Sequence, residues 1–419
     1  MASVRVDDIK YKSNYRKLFG AVTFDHIANQ LSSSALIVAY ALYLGMSELF
    51  IGLFLSLRII FMVVAVFSSP LFSKIGQSKS AVITMAFLYR ASAYAVILIP
   101  FITGDVLIRA IIFCVLMSLS SIFAHFNYAP LVNWRMQMLK PDDQKKFFAQ
   151  KNFVVLLLTA ILSLTLSYLL DTYVDTNFAY GMFVIILSTI MVLALIEFVF
   201  RAFMYKPPIT EKSNVSVLET IVMPMKNKNS RQTILFCVFL TFFVSLGTLY
   251  LPVYLIKYLE FSFLYITVLL IISTVGGMLA GFVFGKLAVR KKNYNLTLVV
   301  GTSLMIINLG LYSILGDAVV FLVPVLAFIF GFGATGFNLF EGIAIHENAP
   351  SEYKTTTLSC YKFYSGLLSI LLVAVTFLLI GGDNAVIIRV IFGVSAIGLF
   401  LTLVYYTCFI RRDARVEIS

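Results

Sequence analysis

Twelve long apolar runs constrain the fold of this 419-residue chain more than any other feature. An α-helix needs about 20 apolar residues to cross the hydrocarbon core of a bilayer. Continuous runs exclude a membrane barrel, whose strands alternate over short segments. The sequence therefore predicts an all-α integral membrane protein with two pseudo-symmetric six-helix bundles. The predicted spans are 18–44, 49–72, 80–102, 106–130, 153–173 and 178–204 in the first half, and 233–256, 261–285, 296–316, 318–345, 355–381 and 384–410 in the second.

Composition agrees with that class, and the placement of charge predicts the topology. Apolar residues make up 60% of the chain and charged residues 12%, whereas soluble domains have about 45–50% and about 25%. The net charge of +12 does not indicate a nucleic-acid partner, because most of the 32 basic residues lie in the terminal segments and alternate loops, on one side of the membrane. By the positive-inside rule, we expect this basic side, with both termini, to face the cytoplasm of a multi-pass cell-membrane protein.

Other classes of protein find little support. The first 17 residues are polar and include Asp7 and Asp8, which does not suit a cleavable signal. The four cysteines fall within spans without paired spacing, and the three histidines form no metal-ligand motif. No Gly-x4-Gly-Lys-Ser/Thr element for nucleotide binding occurs. We expect a monomer with no metal, no cofactor and no use of ATP.

Two pairs of short segments recur half a chain apart. FSKIGQSK at 72–79 returns as FGKLAVRK at 284–291, and PDDQK at 141–145 returns as PSEYK at 350–354. Such internal repeats are typical of secondary transporters built from two copies of one membrane unit. We predict an N-terminal bundle over 18–205, a cytoplasmic linker over 206–232 and a C-terminal bundle over 233–410. The segments 1–17 and 411–419 are predicted to be cytoplasmic.

The two halves, the basic linker and the repeated loops resemble the major facilitator superfamily. That family's signature between its second and third helices is Gly-x-Leu-Ala-Asp-Arg-x-Gly-Arg-Lys. The two matching loops here keep basic residues and glycines but lack the aspartate. The retained residues are Lys74, Gly76, Lys79, Gly281, Lys286, Arg290 and Lys291. The resemblance implies a transporter that works by alternating access, in which the missing aspartate removes part of the charge relay thought to latch the cytoplasmic side.

Ionisable residues inside the first-half spans are candidates for coupling. Each costs about 2.5–3.5 kcal/mol at mid-helix on insertion scales, so each needs a partner or a function. Asp25 shares one face of span 1 with Asn29, Ser32 and Ser33, and we expect that face to line the central cavity. Two interpretations of Asp25 stay open. It either binds the coupling proton or forms a fixed salt bridge with Arg90 or Arg58.

The second half carries its own pair of opposite charges. Glu341 lies near the basic end of span 10, and Lys362 lies at a similar depth in span 11. A salt bridge between adjacent spans is therefore expected, and the same contact would serve as a gate if it opened in another conformation. Glu197 and Arg201 are four residues apart on span 6 and are expected to form an interfacial pair with little functional weight.

Several polar and aromatic side chains are further candidates for the substrate cavity. They are His26, Asn29, Gln30, Ser33, His125, Asn127, Tyr250, Tyr254, Tyr361 and Tyr364. For His125 and Asn127, helix-packing hydrogen bonds are an equal explanation. Span 8 also carries glycines at intervals of four, at 277, 281 and 285, which would let a neighbouring helix approach closely.

The sequence thus predicts a secondary transporter, coupled to protons, that moves a small polar or anionic solute through the bilayer. An exporter of drugs or amphipathic lipids on the same fold is the alternative, although span 5 lacks the Gly-Pro-x-x-Gly-Gly element common in the superfamily's drug–proton antiporters. A membrane enzyme is disfavoured, because no cluster of nucleophile, base or metal ligands gathers at one membrane face. A sensor is disfavoured because no loop is long enough for a soluble domain.

Overall fold

The fold consists of helices joined by short connections. No strands occur in the part of the chain that the computed structural model describes, namely residues 2–32, 35–74, 79–139, 141–174, 176–204, 215–291, 294–349, 354–377 and 384–410. The α-helices are α1 (Ala2–Ser32), α2 (Ala35–Tyr43), α3 (Glu48–Ile60), α4 (Ser68–Lys74), α5 (Lys79–Tyr94), α6 (Ile99–Ile102), α7 (Val106–Gln137), α8 (Pro141–Tyr173), α9 (Ala179–Ala202), α10 (Val217–Lys226), α11 (Lys228–Leu249), α12 (Leu251–Val253), α13 (Phe263–Lys291), α14 (Tyr294–Leu315), α15 (Val323–Glu347), α16 (Lys354–Phe377) and α17 (Asn384–Tyr405). Short 3-10 helices cover Phe61–Phe67, Ala95–Leu98 and Gly316–Leu322, and π-helical turns cover Tyr254–Tyr258 and Tyr406–Ile410.

Within those described ranges, eleven helical stretches are long and apolar enough to cross a membrane. They correspond to the second through twelfth predicted spans. The predicted first span falls on α1 and α2, on either side of residues 33–34, which lie outside the described residues. The prediction of an all-α membrane protein is confirmed.

Several helices extend beyond the predicted spans on the basic side. Helix α7 runs to Gln137 where the predicted span ends at 130, and α8 begins at Pro141 where the span begins at 153. Helix α13 continues to Lys291, six residues past the predicted end. Polar residues can extend a helix outside the hydrocarbon, so the loss of hydropathy marks the membrane boundary and not the end of the helix. The predicted 4–5 and 8–9 loops are correspondingly too long.

The helices group into two compact units. Unit 1 contains Met1–Met46 and Val64–Val217, and unit 2 contains Ser47–Val63 and Leu218–Ser419. Helix α3 therefore groups with unit 2 and packs there against α16, whereas the predicted N-terminal bundle included it. The chain passes back to unit 1 within the 3-10 segment Phe61–Phe67, a helix type that often marks a hinge in a longer helix.

Unit 1 is organised around α9, which packs against α1 and α5. At the basic end, a cluster of buried apolar side chains from five helices holds α1 and α5 in place. Its members include Leu18, Val22, Phe72, Val82, Trp134 and Phe147. This packing places the polar residues further along α1, α5 and α9 opposite one another.

Unit 2 contains a close contact among α13, α14 and α15, made by glycines. A Cβ atom added at Gly331 of α15 would lie 1.6 Å from the backbone oxygen of Ser273 on α13. The predicted close approach at Gly277 is confirmed, because its added Cβ would lie 2.6 Å from Thr335 Oγ1. The same prediction is wrong for Gly281, where nothing in the described part of the chain lies within 4 Å. The surroundings of Gly285 fall outside the described residues.

The second half of the predicted linker is a helix docked on unit 2. Helix α10 buries Thr220, and the thiol of Cys360 on α16 donates to the Ile221 carbonyl at 3.5 Å. The next helix, α11, begins at Lys228 and not at 233, because the Asn227 side chain caps its first turn. Helix α10 and the first residues of α11 thus lie within the range predicted as a linker, and the linker over 206–232 stays a prediction.

Candidate functional site

Four charged side chains from three helices of unit 1 form one network. Asp25 lies on α1, Arg90 on α5, and Glu197 and Arg201 one turn apart on α9. Arg90 Nη2 lies 2.9 Å from Asp25 Oδ1 and 3.5 Å from Glu197 Oε2. Arg201 Nη2 lies 3.5 Å from Asp25 Oδ2 and 2.5 Å from Glu197 Oε1. Each carboxylate therefore contacts both guanidinium groups.

The four side chains of this unit 1 network are buried, and their formal charges balance. The exposed fraction of the four side chains runs from 3% for Arg201 to 11% for Asp25. Two positive and two negative charges cancel, which lets the helices hold them in a medium where a lone charge is costly. The Asn29 amide donates to Asp25 at 3.0 Å, and the Tyr89 hydroxyl donates to Asn29. Neutral polar groups thus hold Asp25 in position as well.

The sequence predictions for these residues have mixed outcomes. Pairing of Asp25 with an arginine of span 2 or 3 is confirmed for Arg90, while Arg58 lies half-buried on α3 in unit 2. The Glu197–Arg201 pair is present, but it does not stand alone at the membrane interface, because both residues are buried and contact the other two charges. The i,i+4 spacing shows only that these two side chains can meet. Their burial depends on α1 and α5.

The remaining first-half cavity candidates are not gathered in one place. The Nε2 atom of His26 lies 3.4 Å from Nζ of Lys151, a buried lysine on α8 that the sequence did not single out. Asn127 donates to the Val82 carbonyl at 3.0 Å and so joins α7 to α5, as the packing alternative predicts. His125 is partly buried on α7. Gln30 is exposed, and Ser33 lies outside the described residues.

A groove between α5 and α9 leads from the network to the outer face of unit 1. Arg90, Glu197 and Arg201 form its buried part. Its apolar lining is Ala86, Phe87, Met191, Ala194, Leu195 and Phe198, and the volume within it that is comparable to a cavity volume is about 20 Å³. Phe87, Leu195 and Phe198 are exposed on membrane-spanning helices, so the mouth of the groove is apolar.

Unit 2 holds the predicted pair of Glu341 on α15 and Lys362 on α16. Lys362 Nζ lies 3.8 Å from Glu341 Oε1, which confirms the predicted salt bridge. The side chains are 13% and 18% exposed, more than any member of the unit 1 network. The same ammonium lies 4.8 Å from the centre of the Tyr361 ring, whose hydroxyl shares a 2.7 Å hydrogen bond with Thr241 of α11. The ion pair is therefore longer and more exposed than those of the network, and Glu341 also shares a hydrogen bond with the Tyr361 hydroxyl.

Three of the four predicted substrate tyrosines are buried in unit 2. Tyr250 and Tyr254 are each 1% exposed, and Tyr361 is fully buried. The Tyr254 ring packs edge-on against Phe392 at 5.6 Å. Tyr364 alone of the four is partly exposed. Contact between the buried three and a solute stays a prediction and requires another conformation.

A further charged site in unit 2 was not predicted. Glu48, at the first turn of α3, is 8% exposed and accepts hydrogen bonds from Lys257 and from the Tyr258 hydroxyl, the latter at 3.2 and 3.1 Å to its two oxygens. The helix N-terminus adds a partial positive charge that favours this carboxylate. Both charges lie near the ends of predicted spans, where the sequence gives no reason to pair them.

The one signature-loop lysine whose side chain is described has a specific contact. Lys79 donates to the carbonyls of Ala202 and Met204, the latter at 2.7 Å, and Lys17 of α1 donates to the Phe203 carbonyl at 3.0 Å. These carbonyls lie at the C-terminal end of α9 and just beyond it, where positive charge is favourable. Gly76 and the side chains of Lys74, Lys286, Arg290 and Lys291 lie outside the described part.

Lys79→Ala is expected to lower the free energy of unfolding by about 1 kcal/mol, because it removes a cation from the C-terminal end of α9. Thermal unfolding of purified protein in detergent measures the change. Lys12→Ala, at an exposed position on α1, is the control and should leave stability within about 0.5 kcal/mol of the wild type. Equal effects of the two substitutions would contradict the capping role.

Comparison with known proteins adds family and fold information. A family model described as the Major Facilitator Superfamily matches residues 18–374. The chain matches no curated protein sequence. Among solved structures, a mutant of the nucleoside transporter NupG is similar with a TM-score of 0.70 and 13% identity, over 94% of this chain and 99% of that one.

Two further structures are similar over the same share of this chain. A POT family transporter in complex with a thioalcohol-conjugated peptide gives a TM-score of 0.66 at 13% identity, over 94% of this chain and 96% of that one. A mutant of the E. coli fucose:proton symporter FucP gives 0.63 at 12% identity, over 94% and 99%. At these identities the likeness concerns the fold.

Proposed function

The chain belongs to the major facilitator superfamily, and from this membership we propose that it is a secondary transporter that moves a small solute by alternating access. The two moving bodies would be the predicted bundles 18–205 and 233–410, acting as a monomer. We propose that the basic side, with both termini, faces the cytoplasm of a cell membrane, as the positive-inside rule predicts. The family and the fold indicate a transporter and not an enzyme.

Protons are the coupling ion that we propose, and the Glu341–Lys362 pair carries this proposal. A carboxylate that binds and releases a proton during transport needs access to water and a partner that it can leave. Glu341 meets both conditions, because it is 18% exposed and its contact with Lys362 is 3.8 Å long. Asp25 meets them less well, since its side chain is 11% exposed and two guanidinium groups and an amide contact it. Of the two interpretations of Asp25, this geometry supports the fixed salt bridge.

Solute-dependent proton movement in proteoliposomes tests the proposal. With a pH-sensitive dye inside the vesicles, addition of a transported solute should change the internal pH in wild-type protein. Glu341→Gln should abolish the proton signal, because the amide cannot bind a proton, while Asp25→Asn should retain it. Solute uptake without proton movement in the wild type would refute coupling. Loss of the signal in Asp25→Asn alone, in protein that is folded, would move the coupling role to Asp25.

An exporter of amphipathic molecules is the second candidate, and the groove between α5 and α9 is the observation that favours it. Its mouth is apolar and lies on membrane-spanning helices, while its inner end is charged. An amphiphile could place its tail in the mouth and its polar head against the network. If the groove binds amphiphiles, dodecyl amphiphiles should inhibit solute transport by the wild type. Loss of this inhibition in Ala194→Phe, which fills the groove, would favour an exporter of amphipathic molecules over a transporter of small solutes.

A further inference from the structure

Helix α10 lies against the beginning of a membrane-crossing helix. Its Ile221 carbonyl accepts a hydrogen bond from the thiol of Cys360, which is the fifth residue of the membrane-crossing stretch Thr356–Val375. Asn227 alone separates α10 from α11, and the stretch Lys228–Tyr258, to which α11 belongs, is also long and apolar enough to cross a membrane. Both contacts hold α10 near the level at which the hydrocarbon begins.

The side of α10 that faces away from the protein carries exposed apolar residues. Thr220 and Pro224 are buried and mark the side that packs on unit 2. Leu218 and Val222, one turn apart on the other side, are 70% and 38% exposed. Among the described residues, every other leucine that is at least 40% exposed lies on a membrane-crossing stretch, where lipid covers it. The exposure of Leu218 therefore has the same explanation as theirs if α10 rests on the bilayer.

Basic residues flank this apolar edge. Lys226, the last residue of α10, lies one turn after Val222 on the same exposed side. Lys228 and Arg231, in the first turn of α11, are exposed as well. Glu219 is the one acidic residue of α10 and this first turn, so the three basic residues leave a net charge of +2. Helices that lie in the membrane interface combine an apolar edge with lysine and arginine in this way.

We infer that the outward side of α10 binds the surface of a bilayer that contains anionic phospholipid. Leu218 and Val222 enter the interface, while Lys226 and Arg231 contact lipid phosphates, which attract basic residues near a membrane surface. The apolar edge selects a lipid over a free phosphate ion, because an ion has no acyl chain to cover it. The position at the edge of the hydrocarbon favours lipid over a soluble protein. This inference does not depend on the transported solute or on the coupling ion.

Fluorescence quenching in proteoliposomes of the full-length protein tests the inference. The chain has a single tryptophan, Trp134, so Val222→Trp in a Trp134→Phe background places one indole on the outward side of α10. The vesicles are phosphatidylcholine with a minor fraction of either brominated phosphatidylglycerol or brominated phosphatidylcholine. We expect both brominated lipids to quench the indole. Quenching by the anionic lipid should be stronger by about fivefold or more at low salt, since each basic residue near an anionic surface contributes about that factor.

Two further proteins in the same background separate the basic residues from simple insertion. Adding Lys226→Gln and Arg231→Gln to Val222→Trp brings the net charge of the segment to zero, so both brominated lipids should then quench equally. Phe321→Trp is the matched control for insertion. Phe321 is 89% exposed at the beginning of another membrane-crossing stretch, and the indole there should be quenched equally by both lipids while Lys226 and Arg231 are intact.

Two results would overturn the inference. If the indole of Val222→Trp is not quenched while that of Phe321→Trp is, α10 stands off the bilayer and its outward side serves another occupant, a second copy of the chain or a soluble protein. If both lipids quench the indole of Val222→Trp equally before the lysine and arginine are changed, the surface has no preference for anionic lipid. Retention of that preference after both changes would likewise exclude Lys226 and Arg231 as its source.

Discussion

Replacement of Arg90 by alanine is expected to lower the free energy of unfolding by about 3–5 kcal/mol, the typical cost of breaking a buried ion pair from one side. The substitution removes one of the two guanidinium groups that contact the carboxylates of Asp25 and Glu197. It also removes the guanidinium that lies 4.4 Å from the Tyr89 ring. The Arg90 side chain is 5% exposed, so these contacts are made in a buried environment.

The stability lost in Arg90→Ala should be partly restored by a second substitution that rebalances the buried charges. The double variant Arg90→Ala/Asp25→Asn leaves one carboxylate and one guanidinium, the 2.5 Å Glu197–Arg201 pair. It should therefore be more stable than Arg90→Ala alone, although a second side chain has been altered. Arg109→Ala is a matched control in unit 1, because Arg109 is only partly buried and donates to one carbonyl, that of Thr103, at 2.8 Å.

Unfolding by SDS titration measures these effects. The proteins compared are the wild type, Arg90→Ala, Asp25→Asn, the double variant and the Arg109→Ala control. Additive losses in the double variant would show that Asp25 and Arg90 act independently, since interacting residues depart from additivity by about 0.5–3 kcal/mol. That result would contradict the network. If Arg109→Ala lowered the free energy of unfolding as much as Arg90→Ala, burial of the arginine would not explain the large effect expected for Arg90.

The sequence predicts the partners of intramembrane charges well, because few such charges exist and each needs an opposite one. Asp25 with Arg90 and Glu341 with Lys362 are both found in this way. What the sequence does not predict is how many charges share one site. The four-residue spacing of Glu197 and Arg201 predicts an ion pair along a single helix, and it does not predict that either residue contacts a further charge. Their place in the unit 1 network follows from packing of α9 against α1 and α5.

Hydropathy predicts membrane-crossing segments better than it predicts helices or compact units. The spans are nearly all found, yet α8 begins twelve residues before its predicted span. The grouping of α3 with unit 2 depends on its packing against α16, which no local pattern encodes. The pairing of Glu48 with Lys257 is missed for the same reason, since it joins residues more than 200 positions apart.

Glycine spacing is a partial guide to close helix packing. A period of four on α13 correctly marks Gly277 and wrongly marks Gly281. The period shows that glycines share a face, but the facing helix decides which of them needs to be small. Gly331 on α15 makes the closest approach, and its partner is the backbone of Ser273. Because every residue has a backbone, the side chains in the sequence do not predict this contact.

Gly331→Ala is accordingly expected to destabilise the protein by about 3 kcal/mol, the upper part of the range for overpacked cores. The added methyl would lie 1.6 Å from the Ser273 oxygen and 2.4 Å from its carbonyl carbon, which are backbone atoms that cannot rotate away. Helices α13 and α15 would have to separate, and the packing of α14 against α15 would loosen with them.

The matched control for Gly331→Ala is Gly281→Ala, which lies on α13 of the same helix pair and has open space around its added Cβ. Alanine there should stabilise the helix by about 0.5–1 kcal/mol, because glycine loses more backbone entropy on folding. The two substitutions add the same methyl group to helices in contact, so they should shift the thermal unfolding midpoint in opposite directions. Equal and small shifts would mean that α13 and α15 are not packed through glycine. A loss confined to Gly331→Ala would show that backbone contact at this position holds the two helices together.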